Sequence, residues 1–206
     1  MIDDPTPASL CATLGIERAV LGAPMAKISG GALAAAVTAG GGLGFVGGGY
    51  GQPEWLAAEM GKADGARVGI GLITWNIGPE AVQTALAAEP AAIWLSFDDP
   101  RPLVGPIHDA GVLLVCQVAS IEEAEQAAEA GAAVIVAQGG ESGGHGRSEP
   151  TIAGLVPDVV AAVGSIPVVA AGGIADVEGY HRAIGLGAAG VALGTRLYAT
   201  DEANDV

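Results

Sequence analysis

Short apolar runs alternate along the chain with stretches rich in alanine and glutamate. Eight of these runs are continuously apolar, as expected of parallel strands that are covered on both faces. They span residues 19–23, 43–46, 67–73, 92–97, 113–118, 133–137, 167–171 and 190–193. The intervening stretches predict helices over roughly 30–39, 53–61, 79–88, 101–110, 121–130, 154–163 and 177–186.

The clearest of these helices has terminal signals at both ends. Ser120 followed by Glu123 forms a capping box, and Gly131 lies where a C-terminal cap belongs. Pairs of alanine and glycine precede two of the strands at a spacing of about 20 residues, which indicates short helix-to-strand turns. Because this unit repeats without a break in composition, we expect residues 1–206 to form a single α/β domain.

A doubly wound open sheet and a closed barrel both use this alternation. Eight strand–helix units in 206 residues favour the (β/α)₈ TIM barrel, which is compact here against the typical size of about 250 residues. The chain stops soon after the eighth predicted strand. We therefore expect a barrel that lacks the usual C-terminal segment after strand 8.

Net charge excludes some partners. Eight basic residues against 23 acidic ones give a net charge of −15, and a nucleic-acid groove would need clustered basic residues. The same balance disfavours acidic partners such as acyl carrier proteins.

No targeting or membrane segment is expected either. The N-terminus lacks the basic start and apolar stretch of a signal peptide, and Gly164, Ser165 and Pro167 interrupt the apolar stretch 159–175. Cys11 and Cys116 form neither a disulfide framework nor a metal-ligand pattern. Cys116 lies inside an apolar run, so we expect it to be a small core residue. A reducing compartment fits best, so we expect a cytoplasmic protein.

A glycine-rich segment follows the sixth predicted strand. Residues 137–146 contain His145 among several glycines, at the strand end where barrel enzymes place their active sites. The glycines let the backbone approach a flat ligand, and a histidine serves there as acid, base or hydrogen-bond donor. The alternative is a surface loop with an incidental histidine, and the glycine frame favours the active-site interpretation.

Three further strand ends carry small or polarizable residues. Gly172 and Gly173 close strand 7, and Gly194 and Thr195 close strand 8, which are the usual phosphate-binding positions of these barrels. Ordinary turn glycines are the alternative. Pro24-Met25 follows strand 1, where methionine suits a flavin ring, although Met25 taken alone fits core packing equally well.

On these motifs the chain resembles the nitronate monooxygenase family, formerly called 2-nitropropane dioxygenases. It is also similar to the related FMN-dependent enoyl-acyl-carrier-protein reductases and NADH:quinone reductases. The motifs run in family order at residues 23–25, 40–45, 137–145, 170–174 and 193–196. The element from Gln138 to His145 is specific, whereas the later glycine elements are shared with many phosphate-binding barrels.

The resemblance implies a cofactor and roles for individual residues. FMN would be the cofactor, and His145 matches the family's catalytic histidine. The matching flavin-binding positions are Gln138 and Gly143 for the flavin itself, Pro24 and Met25 against the isoalloxazine, and Gly172, Gly173, Ala192, Leu193, Gly194 and Thr195 at the phosphate.

The implied reaction oxidises alkyl nitronates, such as that of 3-nitropropionate, to carbonyl compounds and nitrite with O₂. FMN would take an electron from the nitronate. The partners of the protein would be this small substrate and oxygen, and a homo-oligomer is possible. One departure concerns the end of strand 3, where the family commonly has an asparagine that touches the flavin. This chain has Gly71 there, and Asn76 lies nearby.

Two alternative functions stay open. One is an NAD(P)H-dependent FMN reductase of quinones or enoyl thioesters, and the other is a truncated flavin-binding remnant. The letters of Gly42-x-Gly44-x-x-Gly47 fit a dinucleotide fingerprint, but they coincide with a predicted strand. No metal site is expected from Asp98, Asp99 and Glu141, because no histidine accompanies them. A Schiff-base aldolase would need an activated lysine, for which Lys27 is the candidate, and this function is less favoured than the others.

Overall fold

Eight parallel strands close into a barrel in the structure, a computed structural model that describes residues 5–145 and 150–204. Each strand pairs with the next, and β1 pairs with β8 through Val20↔Val191, Leu21↔Ala192 and Gly22↔Leu193. The strands are β1 Val20–Gly22, β2 Leu43–Gly47, β3 Gly69–Ile73, β4 Ala92–Ser96, β5 Leu113–Val118, β6 Val134–Gln138, β7 Val168–Ala171 and β8 Gly190–Leu193. The predicted TIM barrel is confirmed.

Helices accompany every strand. They are α1 Pro7–Leu14, α2 Gly31–Ala39, α3 Pro53–Lys62, α4 Pro79–Leu86, α5 Val104–Asp109, α6 Ile121–Glu129, α7 Ile152–Val163, α8 Val177–Gly185 and α9 Thr195–Tyr198. All seven predicted helices are confirmed as α2 to α8. The fifth strand and the eighth strand have the predicted bounds, and the third is two residues shorter because residues 67 and 68 precede the paired region.

The N-terminal helix α1 was not predicted. Thr6 and Ser9 form a capping box in which each side chain accepts the other residue's backbone N–H, at 3.3 and 2.8 Å. Leu10 and Leu14 are fully buried with the inward side chains of the barrel. A Cβ at residue 190 would collide with Leu10, so Gly190 makes room for this helix to close the amino-terminal end of the barrel.

Large side chains fill the barrel interior. Phe45 and Trp94 pack edge to face with ring centroids 5.1 Å apart, and a Cβ at Gly69 would overlap the Phe45 ring. The indole N–H of Trp94 is buried without a hydrogen-bond partner among the described residues. The interior is therefore a packed core that forms a solid floor beneath the carboxyl end of the strands.

A second core lies between the strands and the surrounding helices. Outward strand residues such as Ile70, Ile93 and Ile135 pack there. Cys116 belongs to this layer, and burial raises the pKa of its thiol to about 12. The thiol stays protonated at neutral pH, as expected of a small core residue.

A surface groove lies on the outer side of β1 and β8. The groove is bounded by α1 on one side and α8 on the other, and includes Cys11, Val20, Tyr180 and Leu193. Within residues 5–145 and 150–204, no helix has the length and apolar character needed to cross a membrane.

The last described residues are tied back to the first βα loop. The Asn204 backbone N–H donates to the Ile28 carbonyl at 3.0 Å, and its side chain hydrogen-bonds the Glu59 carboxylate. Glu59 is 1% exposed and also accepts hydrogen bonds from the Gly31 N–H at 3.0 Å and from Lys62 Nζ at 2.7 Å. Burial alone raises the pKa of Glu59, but these hydrogen bonds outweigh burial and hold its pKa below the usual value.

Replacing Glu59 by glutamine should destabilise the fold in a pH-dependent way. Because the folded-state pKa of Glu59 is lowered, its contribution to stability is present above the unfolded-state pKa and is lost as the pH falls through the folded-state pKa. We expect Glu59→Gln to lower the free energy of unfolding by about 1–3 kcal/mol at pH 7. The difference from wild type should shrink as denaturant unfolding is repeated at decreasing pH below 5.

Glu54→Gln on the same helix is the matched control, because Glu54 is exposed. It should change the free energy of unfolding by less than about 0.5 kcal/mol at every pH. Parallel pH curves for wild type and Glu59→Gln would show that the Glu59 carboxylate does not stabilise the fold.

Candidate functional site

A row of polar side chains crosses the carboxyl end of the barrel. Ser96, Gln117 and Gln138 occupy the last inward positions of β4, β5 and β6, directly above the apolar interior. Gln117 Nε2 donates to Gln138 Oε1 at 2.8 Å, and Ser96 Oγ donates to Gln117 Oε1 at 3.5 Å. These bonds hold three neighbouring side chains in fixed positions at the floor of the mouth.

The polar row continues into the loops on both sides. Thr74 Oγ1, just after β3, donates to the Ser96 carbonyl at 2.6 Å, and Gln138 Nε2 donates to the His145 carbonyl at 3.0 Å. A continuous set of hydrogen bonds therefore links the loop after β3 to the loop that carries His145. Gln138, predicted to hold a flavin, lies at this floor and positions the backbone of His145.

Two aromatic residues face the predicted catalytic histidine. The exposed His145 ring lies 5.4 Å from the Trp75 ring and 5.9 Å from the Phe97 ring, measured between centroids, and the two aromatic rings are 5.1 Å apart. We call Trp75 and Phe97 the aromatic wall. Neither residue was predicted as part of the site, although both closely follow a strand, β3 or β4, in a chain that is only 4% aromatic.

The glycine-rich loop after β6 is anchored to its surroundings. Gly139 N–H donates to the Ala171 carbonyl at 2.8 Å, and both Glu141 carboxylate oxygens accept the Ile152 N–H, at 3.0 and 3.2 Å. Glu141 thus stabilises the start of α7. Gly146, at the end of the predicted motif, lies outside the described residues.

The remaining predicted residues meet on the other side of the mouth. Gly143 packs against Thr195 Oγ1 so closely that a Cβ at residue 143 would collide with it. Gly172 lies against Ser142 in the same way, and Gly194 faces Met25, whose Sδ would be 3.6 Å from a Cβ at residue 194. The loops after β1, β6, β7 and β8 therefore form one surface of small residues, which we call the glycine surface.

Ala192 and Leu193 lie slightly deeper than the other predicted residues. Ala192 is buried with the barrel interior, and Leu193 packs in the outer layer while its carbonyl accepts the Ala23 N–H at 2.9 Å.

Three backbone N–H groups of the glycine surface are free to bind a ligand. Among the residues that the structure describes, Gly172, Gly173 and Gly194 have backbone N–H groups without a hydrogen-bond acceptor. Gly172 and Gly173 have φ angles of 130° and 63°, which glycine adopts more readily than other residues. Successive N–H groups in such a turn form a concavity that binds anions.

Comparison with known proteins identifies the family of this chain. The sequence profile described as nitronate monooxygenase matches residues 75–205. The chain belongs to the nitronate monooxygenase family. It is 41% identical to the nitronate monooxygenase npaC of Metarhizium robertsii, with the match covering 89% of this chain and 59% of that protein.

Two further proteins are similar to this member of the nitronate monooxygenase family, one in sequence and one in structure. A (3aS,4S,5R,7aS)-5-hydroxy-7a-methyl-1-oxo-octahydro-1H-indene-4-carboxyl-CoA dehydrogenase of Mycobacterium tuberculosis is 31% identical, over 92% of this chain and 55% of that one. FabK from Thermotoga maritima superposes with a TM-score of 0.89 at 33% identity, over 96% of this chain and 64% of that one. The chain thus spans less than two thirds of the length of each of these relatives.

In this member of the nitronate monooxygenase family, the position of Pro24 explains why residue 71 is a glycine. A Cβ at residue 71 would collide with the Pro24 ring, so Pro24 occupies the space above the end of β3. Asn76 is exposed beyond Trp75. A side chain at residue 71 requires Pro24 to move, and the proline borders the mouth at this position.

The carboxylates near the mouth have structural partners. Asp98 Oδ1 accepts the Asp99 N–H at 2.8 Å, and Asp99 binds the Arg101 guanidinium through two contacts of 2.8 and 2.9 Å. The Arg101 guanidinium holds the pKa of Asp99 below its usual value. Across the described ranges, no three His, Cys, Asp or Glu residues are grouped as metal ligands, and the motif that begins at Gly42 continues through β2 rather than into a helix.

Proposed function

We propose that this chain is an FMN-dependent nitronate monooxygenase, which oxidises alkyl nitronates to carbonyl compounds and nitrite with O₂. The observation that carries the proposal is the division of the mouth. The glycine surface with its unpaired N–H groups lies on one side, the aromatic wall on the other, and His145 contacts the wall. Such a mouth accommodates a flat anionic cofactor beside a small organic substrate.

The glycine surface fits FMN. The N–H groups of Gly172, Gly173 and Gly194 are available to a phosphate, and Thr195 adds a hydroxyl beside them. Met25, next to Gly194, offers a polarizable side chain to an isoalloxazine ring, with Pro24 adjacent. When bound, FMN supplies the electron acceptor that the amino acids lack.

The protein's own groups orient the substrate and move its proton. His145 is exposed at the mouth, where it positions the nitronate and removes the proton from a neutral nitroalkane. Backbone N–H groups at Gly143 and Gly144 stabilise the negative charge on the nitronate oxygens. The hydrogen bond from Gln138 to the His145 carbonyl fixes the backbone from which the histidine projects.

A flavin-dependent reductase or dehydrogenase of thioesters is the second candidate. The similarity to a relative named as a carboxyl-CoA dehydrogenase favours it. The scarcity of basic residues argues against an acyl-carrier-protein partner, since eight such residues face 23 acidic ones. As a nitronate monooxygenase the chain would act in the cytoplasm on a small substrate and O₂.

Anaerobic reduction distinguishes these functions. Purified protein should retain FMN, and addition of a nitronate without oxygen should bleach the flavin absorbance, whereas NADH should leave it unchanged. Bleaching by NADH alone would replace the proposal by the reductase. Failure to bind FMN at all would identify a remnant without cofactor.

Cofactor binding should depend on Gly143 but not on Gly144. A Cβ at residue 143 collides with Thr195, whereas a Cβ at residue 144 meets no atom within 4 Å among the described residues. We expect Gly143→Ala to raise the Kd of FMN by about 10-fold or more. Loss of one contact between FMN and the displaced loop would cost about 1.4 kcal/mol of binding free energy, which corresponds to a tenfold change in Kd. FMN fluorescence quenching measures it, and equal Kd values for both variants would contradict the placement of the cofactor.

His145→Ala should affect neutral nitroalkanes more than their nitronates. Because only the neutral form requires proton removal, we expect kcat/KM to fall by about 10²-fold or more for the nitroalkane. The loss for the preformed nitronate should be smaller. His181→Ala is the control, since His181 is exposed on α8 and its ring lies against Tyr180. Unchanged turnover of both substrates in His145→Ala would exclude the histidine from the reaction.

A further inference from the structure

The aromatic wall is an unusual feature of the molecular surface. Trp75 leaves 43% of its surface exposed, although most large apolar residues of the chain are buried. Its neighbours are Phe97 and His145 rather than core side chains. An exposed indole at the carboxyl end of a barrel is typical of a surface that contacts a ligand.

Phe97 is held in a conformation that its residue type disfavours. Its φ angle is 87°, in the left-handed region that bulky residues rarely adopt. The following turn is fixed by the bond from the Asp99 N–H to Asp98 and by the two-contact pair of Asp99 with Arg101. This anchored turn keeps the Phe97 ring beside Trp75 and His145 rather than in the packed core.

The two sides of the mouth differ in what they offer a ligand. The glycine surface presents backbone donors, whereas the aromatic wall presents ring faces and edges. Asp98 and Asp99 directly follow Phe97 along the chain, and the Arg101 guanidinium is engaged by Asp99 and lies 3.6 Å from Glu129. The two carboxylates next to Phe97 disfavour a further negative charge on a substrate, while an apolar group meets aromatic carbon at the wall.

We propose that Trp75 and Phe97 determine substrate specificity, selecting nitronates that carry an aryl or long alkyl group over short or carboxylate-bearing ones. This inference rests on the proposed function, because it assigns the aromatic wall to the organic part of the nitronate. The wall binds that part while His145 contacts the nitronate end. Phenylnitromethane thus represents the preferred class, and 3-nitropropionate the disfavoured one.

Binding without turnover tests the wall independently of catalysis. Nitrobenzene and 2-methyl-2-nitropropane both lack the α-hydrogen needed to form a nitronate, so neither can be a substrate. Equilibrium dialysis with FMN-loaded protein should show nitrobenzene binding about 10-fold more tightly than 2-methyl-2-nitropropane, the scale on which an apolar pocket distinguishes ligands. Trp75→Ala should remove this preference, and Trp75→Phe should retain most of it.

Phe97→Gly separates a binding role from a packing role. Glycine adopts a positive φ without strain, so the thermal midpoint should not fall when the ring is removed. The preference for nitrobenzene should nevertheless fall at least about fivefold, because the ring contributes to binding. A lower thermal midpoint with unchanged preference would assign Phe97 to packing and overturn the proposal.

Turnover completes the test. Wild type should have a kcat/KM for the nitronate of phenylnitromethane at least about 10-fold above that for 3-nitropropionate nitronate. Ile121→Ala on α6, which removes a side chain with the same 43% exposure, should keep this ratio. Trp75→Ala should bring the ratio close to one.

The outcomes distinguish this inference from the proposed function. Suppose that the protein oxidises no nitronate but Trp75→Ala still loses the preference for nitrobenzene. This result would support the binding role of the aromatic wall and reject the monooxygenase activity. If wild type, Trp75→Ala and Phe97→Gly all oxidise nitronates with the same ratio of kcat/KM for the two substrates, the monooxygenase activity is supported and the specificity role of the aromatic wall is rejected.

Discussion

The pairing of β1 with β8 is the constraint on which the rest of the structure depends. It leaves no free sheet edge, and it places the residue after β1 beside the residue after β8. Met25 consequently lies against Gly194, and the Ala23 N–H donates to the Leu193 carbonyl. Residues from opposite ends of the chain thereby become one continuous glycine surface.

Closure also sets the direction of every strand side chain. Alternate residues point into the barrel, so the positions above the Phe45 and Trp94 layer are those of Ser96, Gln117 and Gln138. Apolar side chains fill the interior, while polar side chains at its upper limit hydrogen-bond to one another. This change from apolar to polar along three adjacent strands separates the packed core of the barrel from the candidate site at its carboxyl end.

The order of the strands and helices was predictable because each unit carries a local signal. Continuous apolar runs identify buried parallel strands, and the glycines after β6, β7 and β8 predict the end that carries the candidate site. Helix α1 was missed because eight residues give little periodicity, and its burial depends on a distant glycine at residue 190. The aromatic wall was missed because loop conformation, including the positive φ of Phe97, brings its members together.

The β1–β8 pairing also has a consequence for how the chain folds. Its partners, such as Val20 and Val191, are separated by most of the sequence, so this contact is among the least local in the molecule. Non-local pairing forms slowly because a long loop must close first. During synthesis, β1 and β7 therefore expose unpaired edges until β8 has emerged from the ribosome, and in that interval the nascent chain is most prone to aggregation.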